Sequence, residues 1–348
     1  MKHLCYIKNS ITEEVYDTRD KVLRLESTEN LEFYISKELN GADWSTEPDY
    51  DLSLMYRLRA AQIRKQFDYV VFYFSGGSDS ITALNAFIRN KIHIDEVLIY
   101  VNLDTTDIKI NNLYAVNYLK SVGYKGFVNV VNLGFSVIGE ILKDQTWKNY
   151  ECSSGLLHSF YRWRIEFYEN YGYVKPVKRE GNVAHVFSGL FPTVLKIEDD
   201  YYANISIQSV LPAAGNPDNV QFFTTNDMPA LHVKQSHVLA KKIAASTLKQ
   251  TDDQDELKDQ DESKFCKLAI RDEYVEKINT PKGKGITNLG KMASGSQHDL
   301  LAKLYEDKPG FRNNYDLVLQ HFNSFNTIDL DPFNKNFFLF SAGERNGK

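Results

Sequence analysis

Residues 68–74 read DYVVFYF, a run of β-branched and aromatic side chains without polar alternation, which is the pattern of a strand buried on both faces. The run stops at Ser75 and two glycines. From residue 80 to 90 the sequence SITALNAFIRN returns to helical spacing, and residues 96–103, EVLIYVNL, predict a second buried strand. Strand, helix and strand make a βαβ unit, hence a parallel sheet with a right-handed crossover. Residues 109–122 predict a helix with Gly123 at its C-cap, residues 127–133 a third strand, and residues 183–187 a fourth that ends at Ser188-Gly189. Upstream, residues 52–67 place apolar side chains at helical spacing with Arg and Lys opposite, so an amphipathic helix leads into the first strand. The fold class is α/β, a Rossmann-like parallel sheet with helices on both faces.

Three parts are expected: an N-terminal appendage with its lead-in helix over 1–66, the α/β domain over 67–250, and a linker with a mostly helical C-terminal region over 251–348. Residues 135–172 read as helical and aromatic. Residues 251–263, TDDQDELKDQDES, form an acidic polar run that suits a linker or a solvated loop. No internal repeat is apparent.

Composition narrows the classes. With 43% hydrophobic and 25% charged residues the chain matches a packed globular protein, and its net charge of -5 disfavours a broad grip on nucleic acid. The three cysteines, Cys5, Cys152 and Cys266, are scattered, which fits reduced thiols better than a disulfide framework or a Cys-x-x-Cys site. No signal-peptide stretch opens the sequence and no run of about eighteen apolar residues occurs in it, so a cytoplasmic protein without a membrane partner is expected. The oligomeric state is not legible.

The chemistry concentrates in Ser75-Gly76-Gly77-Ser78-Asp79-Ser80, directly after the buried residue Phe74. A turn from a strand into a helix aims unsatisfied N–H groups and the positive end of the helix dipole at one point, which suits an anion. Gly76 and Gly77 let a phosphate approach the backbone and permit positive φ, while Ser75 and Ser80 add hydroxyl donors. Asp79 would repel a bare phosphate, so a bridging Mg2+ is expected, with Asp79 as its ligand. The absence of lysine distinguishes the loop from a Walker A sequence. Read structurally, the same residues are a Gly-Gly turn with a helix-start Asp and Ser.

SGGSDS after a hydrophobic strand resembles the SGGxDS signature of the PP-loop ATP pyrophosphatases, a family that includes asparagine synthetase, GMP synthetase, NAD synthetase and several tRNA-modifying enzymes. A chance match is expected in about one chain of this length in a few thousand. The resemblance implies a HUP-type Rossmann-like sheet and ATP held by its β and γ phosphates. It also implies adenylation of a carboxylate or amide with loss of pyrophosphate, followed by attack of an amine or ammonia. Phe74, Ser75, Gly76, Gly77, Ser78, Asp79 and Ser80 are then the ATP-binding residues, with Asp79 and Ser80 the candidate catalytic ones. In the family the end of the second strand lies beside the adenosine, which adds Asn102 and Leu103. Asp104, at that carboxyl end, reads equally as a ribose or magnesium contact and as a turn aspartate. Ser188 and Gly189 stand where asparagine-type synthetases carry a glycine-rich segment with acidic residues, but Leu190 and Phe191 depart from that pattern. Residues 223–243 resemble asparagine-synthase-related proteins more faintly.

Other residues are ambiguous or exclude branches of the family. Glu198, Asp199 and Asp200 suit a second metal ligand or a solvated face. Lys282, Lys284 and Lys291 suit a phosphate-closing segment or plain surface lysines. Phe160-Tyr161-Arg162-Trp163-Arg164 fits core packing with solvated arginines better than base stacking. His232 and His237, five apart, do not share the helix face that a zinc pair needs. The stretch before residue 68 is too short for the glutamine-hydrolysing domain of asparagine synthetase, and three cysteines cannot build the zinc site of the deazaguanine synthase. The substrate is therefore expected to be a small molecule and nucleic acid an improbable partner. The alternatives are a catalytically silent nucleotide-binding protein and an RNA-modifying PP-loop enzyme.

Overall fold

The computed structural model describes residues 5–16, 29–104, 112–134, 164–188, 193–206, 219–247 and 334–341, together with residues 137, 140, 141 and 143. An N-terminal sheet comes first, from β1 (Cys5–Asn9), β2 (Val15–Tyr16) and β3 (Leu31–Ile35), paired antiparallel in the order β2-β1-β3. After the short helix α1 (Lys37–Asn40), α2 (Leu52–Gln66) begins where the Asp51 carboxylate accepts the Leu54 amide at 2.6 Å and ends with Arg64 and Lys65 in its last turn. Both ends thus complement the helix dipole.

The central sheet holds β4 (Tyr69–Tyr73), β5 (Glu96–Val101), β6 (Val128–Asn132), β7 (Val183–Phe187) and β10 (Asn219–Gln221) in the order β10-β7-β4-β5-β6, with every pairing parallel. The α/β architecture expected from the hydrophobic runs is present. The chain moves outward from β4 through β5 to β6, then returns to the other side of β4 as β7. The switch point of the topology therefore lies between β4 and β7, where open α/β sheets bind ligands beyond their carboxyl ends.

Alternation along the strands separates two faces. Phe72, Phe74, Ile99 and Val186 enter one core with α2, with α3 (Ser78–Ile88) and with α4 (Leu113–Ser121), which Gly123 follows at φ 65°. On the other face α5 (Ile165–Asn170) sets Tyr168 against Tyr100, 5.5 Å between ring centres, and the Ile165 amide donates to the Tyr73 hydroxyl at 3.0 Å. Helices cover both faces.

A second core joins parts distant in sequence. The strands β8 (Thr193–Ile197), β9 (Asp200–Ser206) and β11 (Asn334–Ser341) form an antiparallel sheet in the order β11-β9-β8. Val194, Tyr201 and Leu339 of this sheet share a core with Ile7 and Tyr16 of the N-terminal sheet. The helix α6 (Pro229–Thr247) serves both cores, Leu231 entering the first and Val233, Leu239 and Ala240 the second. The expected acidic linker, and the helical character expected of 251–348 apart from β11, lie outside the described residues.

Candidate functional site

The candidate loop occupies the step from β4 to α3. Phe74 is buried and its amide donates to the Leu98 carbonyl at 2.9 Å, so the sheet still holds the chain one residue before the turn. Ser75 is exposed, and Gly76 takes φ 65°, the left-handed conformation that turns the chain over the sheet end. A Cβ at Gly76 would lie 2.5 Å from Tyr114 Cε2 and 3.0 Å from the Ala115 Cα, so α4 fills that side. At Gly77 the situation differs: φ is -72°, and among the described residues a Cβ would meet only Ser75 Oγ within 4 Å, at 3.4 Å. Among the described residues the space over Gly77 is open. Both glycines were expected to let a phosphate approach the backbone. Gly76 is demanded by the turn and by Tyr114, whereas a side chain at Gly77 would meet only Ser75 among the described residues.

Gly77 offers no side-chain cap to α3, which starts at Ser78 with Asp79 in its first turn. Ser80 is buried, and its hydroxyl donates to the Gly77 carbonyl at 3.0 Å and lies 3.1 Å from Ser75 Oγ. The Gly77 amide donates to Ser75 Oγ at 3.3 Å, a long contact. Ser80 thus braces the turn, and Ser75 is the more accessible hydroxyl.

The neighbouring strands bring the other expected residues to the same sheet end. After β5, Asn102 is fully buried and its Oδ1 accepts the Asp104 amide at 3.0 Å, while its Nδ2 has no hydrogen-bond partner among the described residues. Leu103 is exposed, and its amide donates to Asn132 Oδ1 at 3.0 Å. The Asp104 carboxylate packs against Gly134 beyond β6, where a Cβ would come within 2.5 Å of Oδ2. After β7, the Ser188 carbonyl accepts the Phe223 amide at 3.4 Å. Gly189 lies outside the described residues, as do Phe160, Trp163, Lys282, Lys284 and Lys291.

Two groups of residues are placed elsewhere or differently. Glu198, Asp199 and Asp200 form the tip of the β8–β9 hairpin in the other sheet, where Asp200 accepts bonds from Ser341 and Tyr202. They do not join the loop. Arg164, read as solvated, is bonded to Glu166 at 3.0 Å and lies 2.8 Å from His185 Nε2. Burial alone would raise the Glu166 carboxyl, but the bonds from His185 and Arg164 outweigh it and hold the group well below the usual carboxylate range. His185 also lies 3.0 Å from the Tyr73 hydroxyl, so this network backs the sheet beneath the switch point.

His232 and His237 are both buried in α6 with separate partners, the Thr225 amide at 2.7 Å and the Trp44 carbonyl at 2.8 Å. Among the described residues no three His, Cys, Asp or Glu side chains come together as a metal site. Magnesium commonly takes one or two carboxylates and completes its shell with phosphate and water, so Asp79 on the turn fits that donor set.

Sequence reasoning missed Tyr114. It is the second residue of α4, and its hydroxyl donates to the Ser75 carbonyl at 2.7 Å. No pattern in the chain links residue 114 to residue 75. Among the described residues no helix is long and apolar enough to cross a membrane. No family model matches the chain, and neither a curated protein nor a solved structure matches it.

Proposed function

We propose that the protein binds ATP with its SGGSDS turn and adenylates a small carboxylate or amide acceptor, releasing pyrophosphate. One observation carries the reading. The turn stands at the carboxyl end of β4, beside the switch point of a parallel sheet, with no described residue closing the space over Gly77 beyond Ser75 and with Asp79 in the first helical turn. The HUP-type assignment of the sheet rests on the same loop and on the β10-β7-β4-β5-β6 order.

In this reading the Gly77 amide and the start of α3 hold the outer phosphates, and the Ser75 hydroxyl donates to them. Magnesium, when bound through Asp79, neutralises charge on the leaving pyrophosphate. An acceptor oxygen attacks the α-phosphorus, the bond from that phosphorus to the bridging oxygen breaks, and pyrophosphate departs with the electron pair. An amine or ammonia then displaces AMP. Asn102, Leu103 and Asp104 border the nucleoside, and Ser188 borders the opposite side of the turn.

The test is incubation with ATP and magnesium in the presence of pooled carboxylic acids, amides and amines, with AMP and pyrophosphate measured together. Equal amounts of both products are expected in at least one pool. ATP binding without products in any pool would identify a silent nucleotide-binding protein, and no ATP binding would remove the reading. Salt-sensitive binding to bulk tRNA would transfer the acceptor role to RNA, against the net charge of -5.

A further inference from the structure

The nucleotide turn is shaped from outside by a side chain of another element. Tyr114 belongs to the first turn of α4, which approaches the sheet end from the β5 side. Its hydroxyl donates to the Ser75 carbonyl at 2.7 Å, and its ring occupies the volume that a Gly76 Cβ would need, 2.5 Å from that position. The same end of α4 is tied to β5, because Asn112 Nδ2 donates to the Tyr100 carbonyl at 2.8 Å while Asn112 itself holds φ 58°. Two constraints therefore meet at Gly76: a left-handed backbone and a wall with no room for a side chain. Burial drives the Tyr114 hydroxyl pKa upward, so the group stays a donor across the working pH range.

We propose that Tyr114 is the positioning residue of the SGGSDS turn, holding Ser75 and Gly76 in one backbone conformation in which the Gly77 amide and the Ser75 hydroxyl, bonded within the turn, are placed to exchange those bonds for a phosphate. The nucleotide part of this statement rests on the proposed function. The positioning part does not. Without the Tyr114 hydroxyl the Ser75 carbonyl loses its donor and the peptide between Ser75 and Gly76 is freed to rotate. A phosphate then has to order the turn as it binds, and that ordering is subtracted from its affinity.

The experiment compares full-length wild type, Tyr114→Phe and Tyr118→Phe. Tyr118 lies on the same helix and its hydroxyl donates to Asn85 at 3.1 Å within the core, so its variant reports generic loss of a hydroxyl. Hydrogen exchange of the peptide spanning 74–80 is measured without ligand, and Mg-ATP is then titrated. For Tyr114→Phe, loop exchange about three- to tenfold faster and Mg-ATP binding weaker by a similar factor are expected, with thermal stability close to wild type. Tyr118→Phe should leave both at wild-type values. Unchanged loop exchange in Tyr114→Phe, or an equal change in Tyr118→Phe, overturns the assignment. Faster loop exchange in a protein that binds no Mg-ATP as wild type upholds the positioning role and removes the ATP reading instead.

Discussion

Arg179 grips Glu96, a carboxylate with no exposed surface at the first position of β5, through contacts of 2.8 and 2.9 Å, and its third nitrogen bonds Glu169 of α5 at 2.9 Å. Asn129 of β6 adds a donor to Glu96 at 2.7 Å. Burial would lower the Arg179 pKa, but Glu96 and Glu169 drive it above the ordinary arginine value. The cluster ties α5 to the amino end of the sheet, the end away from the SGGSDS turn.

Arg179→Met should therefore lower the unfolding free energy by about 3–5 kcal/mol, because it leaves Glu96 charged, buried and without its cation. Urea denaturation followed by circular dichroism measures the loss. Mg-ATP affinity of the folded protein should be unchanged, since the altered group lies at the opposite sheet end.

The two glycines of the turn should respond differently. Gly76→Ala forces a Cβ into Tyr114 at positive φ and should cost about 1–3 kcal/mol of stability. Gly77→Ala, at φ -72° with one ordinary contact among the described residues, should cost less than about 1 kcal/mol yet weaken Mg-ATP, because the methyl group enters the space that the proposed function gives to phosphate. Thermal unfolding and nucleotide titration on both variants separate fold from site.

Asp79→Asn keeps the side-chain shape in the first turn of α3 and removes its charge. Pyrophosphate release should fall by about 10²-fold or more while the unfolding midpoint stays within a few degrees of wild type. Release at the wild-type rate would take Asp79 out of the chemistry.

His232 supplies a pH signature of folding. Because its Nε2 accepts the Thr225 amide, the proton sits on Nδ1, and burial together with the Arg59 charge lowers the pKa to about 4. Above pH 6.5 neither folded nor unfolded chain protonates it. Below that value only the unfolded chain does, so stability falls with pH until the folded group titrates near 4, a total of about 3 kcal/mol. His232→Gln should remove about 2 kcal/mol of the wild-type loss between pH 7 and pH 5, measured by urea denaturation at each pH.

The order of strands β4, β5, β6 and β7 and the helices between them was legible because each follows from local periodicity and from stop signals such as Ser75-Gly76-Gly77 and Gly123. The N-terminal strands, β8, β9 and β11, and the helix α6 were not anticipated. Their segments are short or, as in α6, carry polar residues such as Gln235 and Ser236 on buried positions, so the local pattern is weak. β11 pairs with β9 across more than a hundred residues, a contact that no window along the chain contains.

The sequence by itself determined the turn: which residues it holds, that a buried strand precedes it and a helix follows, and that Asp79 stands in the helix start. Those are properties of neighbours along one chain. Only the tertiary structure decided that β7 returns beside β4, that Ser188 and Asn102 flank the turn, and that Tyr114 closes one side of Gly76 while Gly77 stays open among the described residues. Such relations depend on how separate elements pack, and packing is set by the shapes that meet across the sheet end rather than by the spacing of residues within any one element.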